Sequence, residues 1–488
     1  MSVKNKVQLI TYPDSLGGNL KNLAFILDNY FADIFQGGIH ILPPYPSSGD
    51  RGFAPITYFE IDKQFGDWQD IEKLSSKYDI MLDLMVNHIS YRSIYVQDFL
   101  QFGLKSQFAD LFLPLNKIWE DGIPLQDDID KIFLRREKPF SEYILKNGEK
   151  INLWTSFGKS EPSEQVDIDV NSPLAQKLFE DIFSNLAYHG VKNIRLDAIG
   201  YVIKKMGTSS FFVEPEIYNF LNWIKELAEK FKMNFLPEIH SIYSIQYKLA
   251  EKGYWIYDFI LPYMILNSYI KKDGKELFEY IKNRPNNQFT MLDCHDGIPV
   301  KPDLDELAAI SEAQHLVDYC VLNGANLSRI LSEKYKSADG FDIHQIRCTY
   351  FSAMDENPAA YLTARAMQFF TPGIPQVYYV GFLAGVNDGE NIAKTGDGRE
   401  INRHNYSVDE IDKLAQSSIV QKMMKLIKFR NEYGAFDGHF SVSLKSESMY
   451  MTWKNHEKFE CTLSVNFQTF SSEITYFDSD INNKKLDI

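Results

Sequence analysis

Four apolar stretches of the chain end in carboxylate or imidazole side chains. The stretch NIRLDAIGYV (193–202) has the pattern of a buried strand, yet it carries Arg195 and Asp197. Residues two apart on a strand point to the same side, so these two charges share one face. The other stretches are DLMVNH (83–88), FLPEIH (235–240) and TMLDCHD (290–296), which supply His88, Glu238, His240, His295 and Asp296. One such end could be a structural ion pair, but four together predict an active site.

Three of these carboxylates, Asp197, Glu238 and Asp296, favour chemistry on a glycosidic bond. In such reactions one carboxylate attacks the anomeric carbon and a second protonates the leaving oxygen, around an oxocarbenium-like transition state. Arg195 would keep a neighbouring nucleophile ionised, whereas the acid needs a drier pocket near other negative charge. The cysteines form no ligand set, so no metal is predicted. His88 and His295 are expected to donate hydrogen bonds to sugar hydroxyls.

Eight apolar runs alternate with helical patterns, which predicts parallel strands closed into a (β/α)8 TIM barrel. In that fold the chemistry lies at the carboxyl ends of the strands. A doubly wound open sheet is the alternative. The predicted strands lie within 6–12, 37–45, 79–89, 192–201, 234–240, 254–263, 287–296 and 372–381.

Two intervals between strands are too long for one helix and its loops, so each should hold an inserted subdomain. The predicted barrel comprises 1–85, 172–296 and 357–433. The insertions are 86–171, a B subdomain, and 297–356, which carries an acceptor-site loop. Short alternating runs in 434–488 predict a C-terminal antiparallel β-domain.

Composition excludes several classes of protein. The net charge of −15 over 488 residues argues against a nucleic-acid partner. The start of the chain lacks the apolar core of a secretory signal, and no run is long enough to span a membrane. Four scattered cysteines fit a reduced compartment. We therefore expect a cytoplasmic protein, monomeric or homodimeric, with no membrane partner.

The four stretches resemble, in order, the signature segments of glycoside hydrolase family 13, the α-amylase family. The resemblance covers most of the chain, since the insertion after the third strand and the β-rich tail correspond to that family's B and C domains. It implies that Asp197 is the nucleophile, Glu238 the general acid/base and Asp296 the transition-state stabiliser. No calcium-binding loop is evident, and no cofactor is expected.

Further segments resemble the sucrose phosphorylase branch of the family: SSGDRGFAPITYFEID (47–62), TPGIPQVYYVGFLAG (371–385) and GREINRHNY (398–406). In that branch, residues matching Asp50 and Arg399 clamp one glucose, and a ring matching Phe53 stacks on it. A covalent β-glucosyl enzyme forms, and inorganic phosphate intercepts it to give α-glucose 1-phosphate. The expected substrates are therefore small sugars and phosphate.

The acceptor side resembles one group within this branch. The segment GFDIHQIRCTYFSAM (340–354) resembles its acceptor loop, with Asp342 and Gln345 matching and His344 where a tyrosine is common. His344, with Arg135 and Arg136, could bind a phosphate dianion. This pattern favours sucrose phosphorylated on fructose, the substrate of sucrose 6F-phosphate phosphorylases, over plain sucrose. Glucosylglycerate, glucosylglycerol, simple hydrolysis and a non-catalytic sugar-binding barrel are the alternatives.

Overall fold

A computed structural model describes residues 3–456, 459–477 and 482–488. Eight strands form one sheet, and each lies inside a predicted apolar run. In chain order they are β1 (Gln8–Thr11), β2 (Gly38–Ile41), β3 (Ile80–Met85), β4 (Asn193–Asp197), β5 (Asn234–Pro237), β6 (Ile256–Asp258), β7 (Gln288–Thr290) and β8 (Ile374–Tyr378).

The strand order in the sheet is β6-β7-β8-β1-β2-β3-β4-β5. This order is a circular shift of the chain order, which is how the parallel strands of a barrel follow one another. The strands are parallel and nearly every residue in them is buried, as expected where helices cover a parallel sheet. The predicted (β/α)8 barrel is confirmed.

Helices form where capping residues precede apolar residues at helical spacing. Ser172 caps one helix through the amide of Leu174, and Pro173 occupies its first turn. The α-helices are Leu20–Asn29, Trp68–Ser75, Ile94–Phe102, Gln126–Ile129, Pro173–Tyr188, Glu216–Lys230, Tyr243–Glu251, Leu261–Lys271, Lys275–Asn283, Ile310–Leu322, Tyr350–Ala353, Pro358–Phe370, Tyr379–Phe382, Gly389–Thr395, Val408–Ala415 and Ser418–Glu432. Among the described residues, none of these helices is long and apolar enough to cross a membrane.

Internal packing divides the chain into two compact units. One comprises Ile41–Ile239 and Arg329–Asp342, and the other comprises the rest of the described chain. The segment between β3 and β4 has a small apolar core of its own, built around the stacked rings of Trp119 and Trp154. Its strands are His88–Ser90, Phe140–Ile144, Lys150–Trp154 and Gln165–Asp167. The predicted boundaries of the inserted subdomains stay predictions.

Short strands also follow β7, at Ile298–Pro299, Asn326–Arg329 and Ile343–Arg347. The first of these pairs antiparallel with the last, so that Pro299 lies opposite Gln345. This pairing joins the segment after β7 to the predicted acceptor loop.

The C-terminal strands form the predicted antiparallel sheet. They are His439–Lys445, Ser448–Asn455, Phe459–Asn466, Ser471–Phe477 and Asn483–Leu486, each paired with the next in the chain. The short alternating runs predicted the three middle strands, and the structure adds the first and the last. Alternation puts Met449, Met451 and Trp453 on the buried face, because successive side chains point to opposite sides.

Trp453 ties this sheet to a barrel helix, since its indole N–H donates to the carbonyl oxygen of Phe370 at 2.7 Å. Trp453→Phe keeps an aromatic ring but leaves that buried carbonyl without its donor. We expect the free energy of unfolding, measured in urea, to fall by about 1–3 kcal/mol. Tyr450→Phe, on the other face of the same strand, is the control and should change it by less than about 0.5 kcal/mol. Equal losses in both variants would contradict this role of the indole.

Candidate active site

In the unit containing Ile41–Ile239, the buried guanidinium of Arg195 binds three carboxylates. Strand pairing places Asp83 on β3 opposite Arg195 on β4, and the two form a short ion pair. Nη1 of Arg195 also lies 2.8 Å from Oδ1 of Asp197, and Nη2 lies 3.0 Å from Oε1 of Glu238. One cation therefore holds the ends of β4 and β5 together.

The backbone completes this arrangement just beyond β4. Ala198 adopts a left-handed conformation (φ 55°), which turns the chain away from the strand immediately after Asp197. The amide N–H of Ala198 then donates to Oε2 of Glu238 at 3.2 Å. Both carboxylate oxygens of Glu238 are thus held. Strained backbone of this kind is retained where the surrounding structure enforces it, often at functional sites.

The charges around Asp197 favour uptake of a proton. Burial raises the pKa of Asp197, Arg195 lowers it, and the charges of Glu238 and Asp83 raise it again, leaving it well above its usual range. Arg195 acts in the expected direction, but burial and the charges of Glu238 and Asp83 outweigh it. Asp197 and Glu238 contact the same guanidinium, so the two carboxyls titrate as an interacting pair.

The predicted glucose-binding residues of this unit lie on the turn after β2 and at the end of β3. Asp50 and Arg51 both have left-handed backbone conformations, with φ of 49° and 48°. The ring of Phe53 is buried and lies 5.8 Å from the guanidinium carbon of Arg195. His88 donates from Nε2 to the carbonyl oxygen of Phe53 at 2.9 Å, because a carbonyl can only accept. His88 thus fixes the Phe53 turn, and its predicted contact with sugar stays a prediction.

A buried lysine neutralises the acid next to His88. Nζ of Lys204 lies 2.9 Å from Oδ2 of Asp167 and 2.6 Å from Oδ1 of Asn87. Asn87 also donates to Oδ2 of Asp167 at 3.0 Å, so the three side chains form a closed network. Burial lowers the pKa of both Lys204 and His88, and the charge of Asp167 opposes that shift in each. The pKa of His88 is accordingly below that of an ordinary imidazole, which favours its neutral form.

The two arginines predicted to bind phosphate differ in their surroundings. Arg136 donates to the hydroxyls of Ser141 and Thr155 at 2.7 Å each and pairs with Glu161 at 2.6 Å, which ties it to its own subdomain. Arg135 lies with its guanidinium carbon 6.0 Å from the ring centre of Phe157. The carboxylate of Asp342 forms an ion pair with Arg329.

In the other unit, the carboxylate of Asp296 is surrounded by cations. Its oxygens lie 3.5 Å from Nη1 of Arg399, 3.8 Å from Nη2 of Arg403 and 3.8 Å from Nε2 of His295. Burial acts to raise the pKa of Asp296, but His295, Arg399, Arg403 and His240 outweigh it and hold the pKa well below its usual range. Asp296 is therefore a fixed anion.

The predicted acceptor residue His344 lies close to His240 in this unit. The ring centres of His240 and His344 are 6.2 Å apart, at 70° to each other. His240 stacks on Phe259 with ring centres 3.9 Å apart. Gln345 follows His344 on the strand Ile343–Arg347 and is buried.

A family profile described as alpha amylase, catalytic domain, matches residues 11–275. The chain belongs to the α-amylase family. This finding confirms the resemblance to that family, and the matched range includes three of the four strand-end segments. Among curated relatives, a sucrose 6(F)-phosphate phosphorylase of Thermoanaerobacterium thermosaccharolyticum is 58% identical over 480 residues, 98% of each chain. A sucrose phosphorylase of Streptococcus mutans is 41% identical over 488 residues, 99% of each chain.

Solved structures agree with this assignment to the α-amylase family. The crystal structure of sucrose 6F-phosphate phosphorylase from Thermoanaerobacter thermosaccharolyticum matches with a TM-score of 0.98 and 56% identity. The match covers 100% of this chain and 99% of the chain in that crystal structure. An α-amylase from H. orenii, at 14% identity and a TM-score of 0.67, shares the fold.

Several residues that complete this α-amylase-family site were not predicted from the sequence. Arg403 contacts Asp296, and the amide of Asn402 donates to the carbonyl oxygen of Asp296 at 3.1 Å. Both lie in GREINRHNY, where the spacing from Arg399 could have indicated a second cation near the same acid. No sequence pattern indicated the ion pair of Lys204, because its partner Asp167 is far away in the sequence.

The buried pair of Lys204 and Asp167 should be important for folding stability. Lys204→Met leaves Asp167 buried without its counter-charge, and we expect a loss of about 3–5 kcal/mol in the free energy of unfolding. The control is Lys205→Met, because Lys205 is exposed and its ion pair with Glu216 should contribute at most about 1 kcal/mol. Urea unfolding of both variants measures the difference, and a loss below 1 kcal/mol in Lys204→Met would refute the network's role.

Because the pKa of Asp197 is raised, we expect its contribution to the free energy of unfolding to depend on pH. A carboxyl whose pKa is higher in the folded than in the unfolded chain costs stability once it ionises. The cost is absent at pH values below the pKa that Asp197 has in the unfolded chain. It grows as the pH rises through the pKa that Asp197 has in the folded chain. Asp197→Asn should therefore be more stable than wild type at pH 8, by about 0.5–2 kcal/mol.

The stability gap between Asp197→Asn and wild type should narrow as the pH is lowered toward 4. Thermal unfolding at a series of pH values measures it. Asp181→Asn, at an exposed acid paired with Lys177, serves as the control and should show no such trend. A gap that does not depend on pH would show that the charge of Asp197 is not its source.

Proposed function

We propose that this protein is a retaining phosphorylase that cleaves sucrose 6F-phosphate with inorganic phosphate. The products are α-D-glucose 1-phosphate and fructose 6-phosphate. The observation that carries the mechanism is the single guanidinium of Arg195, which contacts Asp197 at 2.8 Å and Glu238 at 3.0 Å. Two carboxylates on one cation suit the short separation of about 5–5.5 Å used by retaining enzymes, with no room for a water between them.

The proposed reaction has two displacements. Asp197 attacks the anomeric carbon of glucose while Glu238 donates its proton to the fructosyl oxygen, so the glycosidic bond breaks and fructose 6-phosphate leaves. Phosphate then attacks the glucosyl carbon, Glu238 takes the proton from phosphate, and the bond to Asp197 breaks. Two inversions retain the α configuration. The first displacement requires Asp197 ionised and Glu238 protonated, so one proton on this pair of carboxyls is sufficient.

Asp296 is proposed to stabilise the positive charge that develops on the glucosyl ring in the transition state. Its low pKa supports this role, because an acid that stays ionised can oppose that charge throughout the reaction. Asp50 and Arg399 are proposed to hold the outer hydroxyls of glucose, with Phe53 packed on the ring. His88 and His295 are proposed to contribute further sugar contacts. His240, whose ring centre lies 6.2 Å from that of His344, is proposed to contact the sugar on the acceptor side.

The proposed acceptor subsite contains His344 with Gln345, Asp342, Arg135 and Arg136. A protonated imidazole and a guanidinium can bind the fructosyl phosphate through charge-assisted hydrogen bonds. Arg136 already donates to protein acceptors, so a contact with the phosphate would have to share its guanidinium with them. Identity of 58% over nearly the whole chain to a sucrose 6(F)-phosphate phosphorylase supports this substrate.

Plain sucrose is the second candidate substrate, because sucrose phosphorylases are also related to the chain. Glucosylglycerol is a further alternative, since a glucosylglycerol phosphorylase of Marinobacter adhaerens is 40% identical over 481 residues. We further propose a cytoplasmic location, which is supported by the absence of a disulfide at any of the four cysteines, all of which lie within the described residues. A monomeric or homodimeric state stays a prediction.

Product analysis tests the reaction itself. The purified enzyme is incubated with sucrose 6F-phosphate, sucrose or glucosylglycerol, each with and without inorganic phosphate. We expect glucose 1-phosphate to form fastest from sucrose 6F-phosphate and only when phosphate is present. Free glucose released at the same rate without phosphate would instead identify a hydrolase. Asp197→Ala should abolish product in every case, because no covalent intermediate can form.

His344→Tyr tests the phosphate contact. A neutral phenol can donate one hydrogen bond but supplies no positive charge to a dianion. Losing one charge-assisted bond costs about 1.5–3 kcal/mol, which is roughly a ten- to hundredfold change. We therefore expect kcat/KM for sucrose 6F-phosphate relative to sucrose to fall by that factor.

The control for His344→Tyr is His439→Tyr, at an exposed histidine of the C-terminal sheet. It should leave the ratio of the two donors unchanged. If His344→Tyr also leaves that ratio unchanged, His344 does not contact the phosphate, and plain sucrose becomes the better substrate assignment.

A further inference from the structure

The short segment Lys301–Asp303 contacts both histidines of the proposed acceptor subsite. The Nδ1–H of His344 donates to the carbonyl oxygen of Lys301 at 2.6 Å. Nδ1 of His240 lies 3.5 Å from Oδ2 of Asp303, two residues further along the chain. The Nδ1 side of each ring therefore faces the segment Lys301–Asp303, through a hydrogen bond in His344 and through a longer electrostatic contact in His240.

Asp303 is itself held rigidly. Its side chain is wholly buried, and its Oδ1 accepts a hydrogen bond from the amide of Gln246 at 3.1 Å. The same amide also donates to the carbonyl oxygen of Ser241 at 2.6 Å, which fixes the position of Gln246. With Phe259 stacked on one face of His240, the imidazole has little freedom to rotate or tilt.

A buried carboxylate in this position is costly for the fold. Burial raises the pKa of Asp303, whereas His240 and the hydrogen bond from Gln246 lower it. Among the residues that the structure describes, Asp303 forms no ion pair with lysine or arginine, and its charged partner is His240. A group that destabilises the fold and faces a ligand-binding imidazole is better explained by function than by packing.

We propose that Asp303 is a positioning and specificity-determining residue of the acceptor subsite, acting through His240. This inference rests on the proposed function. The carboxylate of Asp303 faces Nδ1 of His240 and favours a proton on that nitrogen, because a nearby negative charge stabilises the charged imidazole. The Lys301 carbonyl sets the same tautomer in His344. Both Nε2 edges are thereby presented together to the anionic fructosyl group.

The experiment compares Asp303→Asn with Asp305→Asn. Asp305 lies in the same segment, but its carboxylate pairs with Nζ of Lys301 at 2.6 Å and contacts neither histidine. For each variant, kcat/KM for sucrose 6F-phosphate is divided by kcat/KM for α-glucosyl fluoride, whose small leaving group needs no acceptor subsite. We expect this ratio to fall about tenfold or more in Asp303→Asn and to be unchanged in Asp305→Asn.

Two further measurements separate positioning from a merely structural role. In the His240→Ala background, Asp303→Asn should cause no further change in the ratio, because the two residues act as one unit. The melting temperature of Asp303→Asn should equal or exceed that of wild type, since a buried charge is removed. If Asp303→Asn does not fold, Gln246→Met supplies the same test with a smaller fall expected.

An unchanged ratio in Asp303→Asn, or additive effects with His240→Ala, would overturn the inference. Failure of the proposed function has a different signature. Wild-type enzyme would then consume α-glucosyl fluoride yet form no glucose 1-phosphate from sucrose 6F-phosphate. In that case the single and double variants of Asp303 and His240 are compared with the disaccharide that the enzyme does cleave. An unchanged ratio or additive effects would again overturn the inference.

Discussion

The contact of Arg195 with three carboxylates is the interaction on which the arrangement of side chains at the ends of β3, β4 and β5 depends. A single positive charge cannot balance Asp83, Asp197 and Glu238 in a buried setting, so the cluster gains by keeping a proton. A retaining reaction needs one ionised and one protonated carboxyl, and this imbalance of charge provides both. The pairing of β3 with β4 puts Asp83 opposite Arg195 and so fixes the guanidinium in place.

In the other unit the balance of charge is reversed, because basic side chains outnumber the acid that they surround. There a single carboxylate, Asp296, has Arg399, Arg403 and His295 within 4 Å, and the excess of positive charge keeps it ionised. Environments that push the pKa values of acids apart assign them different roles, since one can exchange a proton and another cannot. The pKa of Asp197 is raised and that of Asp296 is lowered, although Asp197 ends one barrel strand and Asp296 follows another.

The sequence predicted the eight barrel strands because each is a short apolar run between polar segments, a pattern that depends only on neighbouring residues. It also predicted the strand-end acids and bases, since charges that interrupt such runs are conspicuous. It did not predict Lys204 or Asp303, whose partners Asp167 and His240 are 37 and 63 residues away. Contacts of this kind depend on tertiary packing. Arg136 had the right charge for phosphate, but local hydroxyl partners that no sequence pattern reveals already engage it.

The choice between a phosphorylated and a plain acceptor is governed by the cost of burying a charge. A lysine or arginine at the position of His344, which is only 2% exposed, would carry its full charge even with sucrose bound or with no ligand. An imidazole can be neutral in those states and take up a proton when a dianion arrives, so its desolvation cost arises only with the anion that compensates it. The same reasoning explains why both histidines need anchors. A ring that gains charge on binding must already present the correct edge, because reorienting it would use part of the binding energy that distinguishes the two donors.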